Sequence, residues 1–402
     1  MSRYPLPVPQ RVADLATPAL IVDLERVDAN LRRGQAYADA QGVDLRPHTK
    51  THKGPRFARA QVDAGAAGIC VAKLGEAEMM ADAGLDDVVM PNTVIGADKA
   101  ARAVAIAQRV RFAIGVDHPD QVAQLAAAAA GAARPLEVLV EVDVGAGRGG
   151  AAAGEVAELV RRVREAHGLR ARGVYAYEGF TYGARDRDEL IARHDEAQRE
   201  LLAVADAARP WLDGDERRGG APVVSLGSTP SLLAAVPLRA GITEMRPGTY
   251  AFNDLQQARW AAASGGWQEG LAHAAAHVLA SVVSVHHAAP GSPASAGELE
   301  RQGRERPWRG VLDAGSKALT SDRAVGHEGH GLLVDHGLTV ARLSEEHGVV
   351  EGPGMARLRV GQKVRVLMNH VCPVVNLFPV MHLVRGDQVV EALPVAGRGF
   401  LV

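Results

Sequence analysis

A (β/α)8 barrel followed by a C-terminal all-β domain is the α/β architecture that this 402-residue sequence predicts. Three observations carry it. Short β-branched or apolar runs alternate with helix-like segments, eight runs over roughly the first 250 residues. Beyond about Trp267 helical periodicity fades, and β-rich runs punctuated by turn residues take over. No Gly-x-Gly-x-x-Gly follows the first run, which disfavours an open, doubly wound dinucleotide fold.

The eight barrel runs are Val43–His48, Gly68–Lys73, Asp87–Asn92, Arg111–Asp117, Leu136–Gly145, Gly173–Gly179, Val223–Gly227 and Ile242–Met245. Between them Glu76–Ala83, Ala97–Gln108, Ala153–His167 and Arg185–Ala208 carry apolar residues at helical spacing. The β domain is built from His277–His286, Gly310–Asp313, Leu332–Val334, Gly348–Glu351, Lys363–His370, Met381–Arg385 and Gln388–Leu393. Gly352-Pro353-Gly354 and Arg385-Gly386-Asp387 read as turns, and Pro290–Arg306 as an exposed polar loop. Three segments are expected: residues 1–16 packed on the β domain, a barrel over 17–266, and a β domain over 267–402.

Composition narrows the function class. Net charge is −2, with no basic block, which argues against nucleic acid or an anionic membrane surface as partner. The longest apolar runs are alanine-rich and shorter than a membrane span, and the start of the chain lacks a signal-peptide core, so a cytoplasmic protein is expected. Two distant cysteines, Cys70 and Cys372, make no disulfide framework.

Asp44–Lys53 holds two lysines, two histidines and an arginine, in a chain where only six of 45 basic residues are lysine. An amine can lose its proton and attack a carbonyl, whereas a guanidinium stays charged. Lys50, at the end of the first run, is therefore a candidate for covalent chemistry, with His48 and His52 as tuning neighbours and Lys53 as a surface charge. Function in such a barrel collects where strands end. Gly227-Ser228-Thr229, after run seven, and Gly248-Thr249-Tyr250, after run eight, have the glycines and hydroxyls of a phosphate site. A phosphate anchor and a strand-one lysine together suggest pyridoxal 5'-phosphate, with Tyr177 and Arg148 on strand ends that could reach its ring. In the β domain His370 and Cys372, two apart on a strand, would share a face and favour a divalent ion such as Zn²⁺. His327-Glu328-Gly329-His330 is one residue short of the zinc-protease helix motif and reads as a loop. Glu345-Glu346-His347-Gly348 reads as a rim or turn feature.

These pieces together resemble the metal-activated, fold-type III pyridoxal-phosphate enzymes acting on β-hydroxy D-amino acids, the family of D-threonine aldolase and eukaryotic-type D-serine dehydratase. The resemblance runs through Thr17-Pro18-Ala19-Leu20, Arg46–Lys53, Gly68–Lys73, Tyr177-Glu178-Gly179, Gly227–Pro230, Arg246–Tyr250, Ser344–Gly348 and the His370/Cys372 pair. It implies an alanine-racemase-like barrel with a β domain, a homodimer, Lys50 as the cofactor-bound lysine and α-proton base, and His370 with Cys372 as ligands to Zn²⁺, or to Mn, Co or Mg. It implies a lyase. Dehydratase-like members resemble this chain in carrying Cys where aldolase-like members carry Asp. Phe180, where aldolases place a histidine, points the same way. The expected reaction is dehydration and deamination of D-serine or D-threo-3-hydroxyaspartate to a 2-oxo acid and ammonia, with D-threonine aldolase cleavage as the alternative. A racemase would leave the metal pair unexplained, and a non-catalytic pyridoxal-phosphate-binding protein would lack the second domain.

Overall fold

In a computed structural model, which describes residues 10–261, 267–287 and 308–402, the chain divides into two compact units. One comprises residues 30–250 with 399–402, the other the stretch up to Ala29 with 251–398. The expected loop Pro290–Arg306 lies outside the described residues. The stretch up to Ala29 falls with the second unit because Ala19–Asp23 is a strand of that unit's sheet: it pairs parallel with Val380–Arg385 and antiparallel with Ala276–His287.

The first unit is an eight-stranded parallel barrel. Its strands are Asp44–Leu45, Ile69–Cys70, Asp87–Met90, Arg111–Val116, Leu136–Val142, Leu169–Ala176, Val223–Ser225 and Glu244–Met245. Each pairs with the next except the first two, and the eighth pairs with the first. A parallel bridge between His48 and Cys70, with Cys70 N–H donating to Pro47 O at 2.7 Å, joins the remaining two. Helices alternate with the strands and bury apolar stripes. Ala97–Arg109, for example, turns Ala100, Ala103, Val104, Ile106 and Ala107 inward while Asp98, Ala101, Ala105 and Arg109 are exposed. Short helices at Pro55–Asp63, Pro119–Ala129 and Thr229–Leu233 complete the alternation.

Side chains alternate along a strand, so the barrel interior is layered. Early in the strands lies an ionic layer: Arg46 pairs with Asp87 at 2.7 Å and Glu244 at 2.6 Å, and Arg172 with Asp215 at 3.0 Å and Glu137 at 3.1 Å. Burial of so many charges is tolerated because each guanidinium meets carboxylates on two sides. Further along, Cys70, Val89, Ala113, Leu139, Tyr175 and Val223 form an apolar layer. Beyond it come Glu141 and Ser225, at the strand ends, where the interior opens into a pocket.

In the second unit six strands close into an antiparallel ring: Ala276–His287, Trp308–Leu312, Gly348–Glu351, Leu338–Leu343, Gly331–Leu333 and Lys363–Met368, the last pairing back to the first. Ala19–Asp23, Val380–Arg385, Gln388–Pro394 and Gln10–Arg11 extend the sheet. No described helix is long and apolar enough to cross a membrane.

Candidate active site

Lys50 sits in a single helical turn, Thr49–Thr51, that follows the first barrel strand. The turn is anchored on both sides. His48 N–H donates to Pro247 O at 2.9 Å, and Thr49 Oγ1 donates to Cys70 O at 2.9 Å. His48 caps the turn, its Nδ1 accepting from Lys50 N–H at 3.4 Å. Burial first, then the positive charges of Lys50, Arg246 and Arg148, hold His48 well below the ordinary histidine value, so the ring is neutral beside the amine. His52 is also held neutral by burial, at about 4. Lys53 departs from expectation: it is buried and pairs with Glu76 at 3.2 Å. Its positive φ of 48° ends the turn and swings it inward, away from solvent.

One pocket gathers most of the expected residues. His48, Lys50, Arg148, Tyr177, Gly227, Ser228, Thr229 and Gly248 all line it. Arg148 lies over the Tyr177 ring, 4.6 Å from its centroid, and 3.7 Å from Glu141. Tyr250 is the exception. Its side chain is buried away from the pocket lining, with its hydroxyl accepting from Gln61 Nε2 at 3.4 Å. Its ring packs against Gly34, where an added Cβ would come within 2.5 Å.

Sequence reasoning placed Arg246 at the eighth strand end, in the Arg246–Tyr250 motif, but gave it no role. It is buried in the pocket wall, donates to Ala176 O at 2.8 Å and to Ser225 Oγ, and lies 5.0 Å over the Tyr175 ring. Thr249, Asn92, Tyr175 and Tyr182 line the pocket too. Position at a strand end was the available signal for Arg246, Asn92 and Thr249.

The pocket fits a phosphorylated cofactor. Thr229 Oγ1 is buried with no hydrogen-bond partner, which is costly unless a ligand supplies one. Gly227, at φ 137°, carries the chain past Met245, and a Cβ on Gly248 would sit 3.0 Å from His48 O. Both glycines line the pocket without a side chain, which leaves backbone within reach of a phosphate there.

His370 and Cys372 come together differently from the strand geometry expected. The strand Lys363–Met368 ends before them, and His370 is the N-cap of the helix Val371–Leu377, with Cys372 in its first turn. The cause is Asp254, whose buried carboxylate accepts Val371 N–H at 2.9 Å and so starts a helix where a strand would continue. Burial alone would push the His370 imidazole down, but hydrogen bonding and charge from Cys372, with Asp254 and Asp322, raise it to about 10. Its Nδ1 lies 2.7 Å from Asp322 Oδ2. An imidazole and a thiol meeting inside anionic surroundings suit a divalent cation. A carboxylate on Nδ1 holds the tautomer that leaves the other nitrogen as a ligand. Among the described residues no group of three or more His, Cys, Asp or Glu is placed to hold a metal, so the pair offers two of the donors an ion would need. His327–His330 is a loop, as expected, and Glu345-Glu346 lie in the turn between two strands, bound by Lys317 at 2.7 and 2.8 Å.

Known proteins share both units. Residues 22–256 match the alanine racemase N-terminal domain, and residues 275–384 match a putative serine dehydratase domain. D-threonine aldolase of an Arthrobacter species is 32% identical, covering 98% of this chain and 97% of its own length. D-threo-3-hydroxyaspartate dehydratase of Delftia sp. strain HT23 is also 32% identical, with 94% and 96% covered. Solved structures of that dehydratase include a cysteine-to-alanine mutant in the metal-free form, with a TM-score of 0.79, 28% identity, and 96% of this chain and 98% of that chain covered. D-threonine aldolase from Filomicrobium marinum superposes with a TM-score of 0.83 at 31% identity, over 99% and 100% of the two chains. The chain belongs to the fold-type III pyridoxal-phosphate family of these lyases. It is a pyridoxal-phosphate-dependent lyase of β-hydroxy D-amino acids.

Proposed function

We propose that the chain eliminates the β-hydroxyl of D-serine or D-threo-3-hydroxyaspartate as water, and that the enamine product tautomerises to an imine that takes water back and releases ammonia, leaving a 2-oxo acid. Cys372 beside His370 carries this reading, since a soft thiolate stands where aldolase-like members resemble an aspartate site. Pyridoxal phosphate supplies an electron sink for the α-carbon, and a divalent metal, Zn²⁺ before Mn, Co or Mg, supplies Lewis acidity for the β-oxygen.

The chain's own residues do the rest. Lys50 Nζ holds the cofactor aldehyde and, once released, takes the α-proton. Neutral His48 adds no positive charge beside that amine. Tyr177 with Arg148 covers the ring, and Gly227, Ser228, Thr229 and Gly248 hold the phosphate. His370 and Cys372 hold the metal. The working molecule is a homodimer, which sedimentation measures.

Retro-aldol cleavage of D-threonine to glycine is the second reading, favoured by the 32% identity to D-threonine aldolase. A product assay on metal-loaded holoenzyme separates them. Pyruvate or oxaloacetate with ammonia supports dehydration; glycine with an aldehyde sinks it.

A further inference from the structure

Directly after Tyr177 the barrel buries a carboxylate beneath the loop assigned to phosphate. Glu178 is fully buried, as is His194, which projects from the helix Arg187–Ala208 and meets Glu178 Oε2 through Nδ1. The other oxygen, Glu178 Oε1, accepts from Ser231 Oγ at 2.9 Å. Ser231 in turn accepts Ser228 N–H at 3.0 Å. A negative charge under an anion site needs a reason, since an uncompensated buried carboxylate would repel the phosphate.

We propose that Glu178, held by His194, is a positioning residue that sets the direction of the hydroxyl donors in the phosphate loop. The inference rests on the assignment of Gly227–Thr229 to the cofactor phosphate. Ser231 has one proton and three acceptors within reach: Glu178 Oε1, Ser228 O at 3.0 Å and Ser228 Oγ at 3.4 Å. A carboxylate outcompetes neutral oxygens for it. With that proton committed, Ser231 Oγ becomes the acceptor for Ser228 N–H, which fixes the loop. Thr181 Oγ1 lies 3.4 Å from Ser228 Oγ but donates its own proton to Glu178 O at 2.7 Å. With both neighbouring protons committed elsewhere, Ser228 Oγ keeps its own proton to donate, and a phosphate oxygen in the pocket, beside the unpartnered Thr229 Oγ1, is a stronger acceptor than the two hydroxyls 3.4 Å away. His194 Nδ1 and Ser231 Oγ engage one carboxyl oxygen each, which fixes the orientation of Glu178 beneath the loop.

The test compares affinity of the full-length apoenzyme for pyridoxal phosphate and for pyridoxal, which lacks the phosphate, with the ³¹P chemical shift of the bound cofactor. Glu178→Gln and Ser231→Ala should each weaken pyridoxal phosphate about tenfold, leave pyridoxal unchanged and move the ³¹P resonance. The double variant should lose no more than either alone, because both break one chain of bonds. Thr229→Val checks the underlying assignment. If it discriminates between the two ligands while Ser231→Ala and Glu178→Gln do not, the positioning role is wrong and the phosphate site stands. If Thr229→Val weakens neither ligand, the phosphate assignment itself fails, and the inference with it. Should Glu178→Gln not fold, Ser231→Ala, which removes one oxygen, decides alone.

Discussion

Two histidines, one in each unit, occupy nearly the same local position and meet opposite electrostatic fates. His48 and His370 both sit in extended backbone, at φ −86°, ψ 111° and φ −140°, ψ 112°, as the residue before a helical turn. Each precedes by two residues the side chain proposed to do the chemistry, Lys50 or Cys372. His48 is surrounded by burial and cations and is held neutral; His370 is surrounded by a thiol and carboxylates and is pulled to about 10. The same local device thus keeps an amine free of a competing charge in one unit and gathers negative charge around a cation site in the other. Local geometry places the reactive atom, and the neighbours choose which charge it meets.

The comparison can be broken at four points. Lys50→Ala should have the largest effect, abolishing the cofactor's visible-edge absorbance and lowering turnover by about 10²–10⁴-fold or more, read by spectrum and ammonia release. Survival of the band would remove Lys50 from the cofactor. Cys372→Ala comes next. It should keep that band, yet lose metal by more than the ~10–100-fold that an outer-sphere partner contributes. Elemental analysis after dialysis measures this, and full metal content would dissolve the contrast between the two histidines. Asp322→Asn should weaken metal about 10–100-fold and leave the cofactor spectrum intact. Titration with a competing chelator reports it, and unchanged affinity would mean that the 2.7 Å contact does not orient His370.

The smallest effect concerns stability. His52 accepts Gly54 N–H at Nδ1, 3.2 Å away, and Nε2 lies 3.2 Å from Gln61 Oε1, which uses both nitrogens of the neutral ring. Burial lowers its pKa from 6.5 to about 4, so the unfolded chain binds the proton first. Stability from this group is present above about 6.5 and is lost as pH falls toward 4, with a slope of up to about 1.4 kcal/mol per pH unit. Urea unfolding of wild type and His52→Gln at pH 7 and 5 should show a smaller acid loss in the variant. Equal losses would assign the acid sensitivity to other groups.

Much of this was legible in order along the chain. The alternation of apolar runs with helical stretches marked every barrel strand, because period and turn chemistry are local. The strand-end rule picked out Lys50, Tyr177, Ser228 and Thr229, which the fold brings to one pocket, without any knowledge of partners. Local pattern did not foresee the burial of Tyr250 and Lys53. Tyr250 was claimed by a gap at Gly34, and Lys53 by a buried Glu76, residues far away or facing in ways that no local pattern announces. The strand expected through His370 and Cys372 failed for the same reason: Asp254, 116 positions before His370, ended it by capping Val371.

By itself the sequence determined which residues could do chemistry and roughly where strands end, since side-chain type and hydrophobic period are properties of neighbouring residues. Only the tertiary structure decided the charge environment of His48 and His370, the partner of Thr229 left open to a ligand, and the Glu178–His194 pair beneath the loop. Those depend on groups brought together across the fold, and electrostatic energy is set by distance and burial rather than by order in the chain.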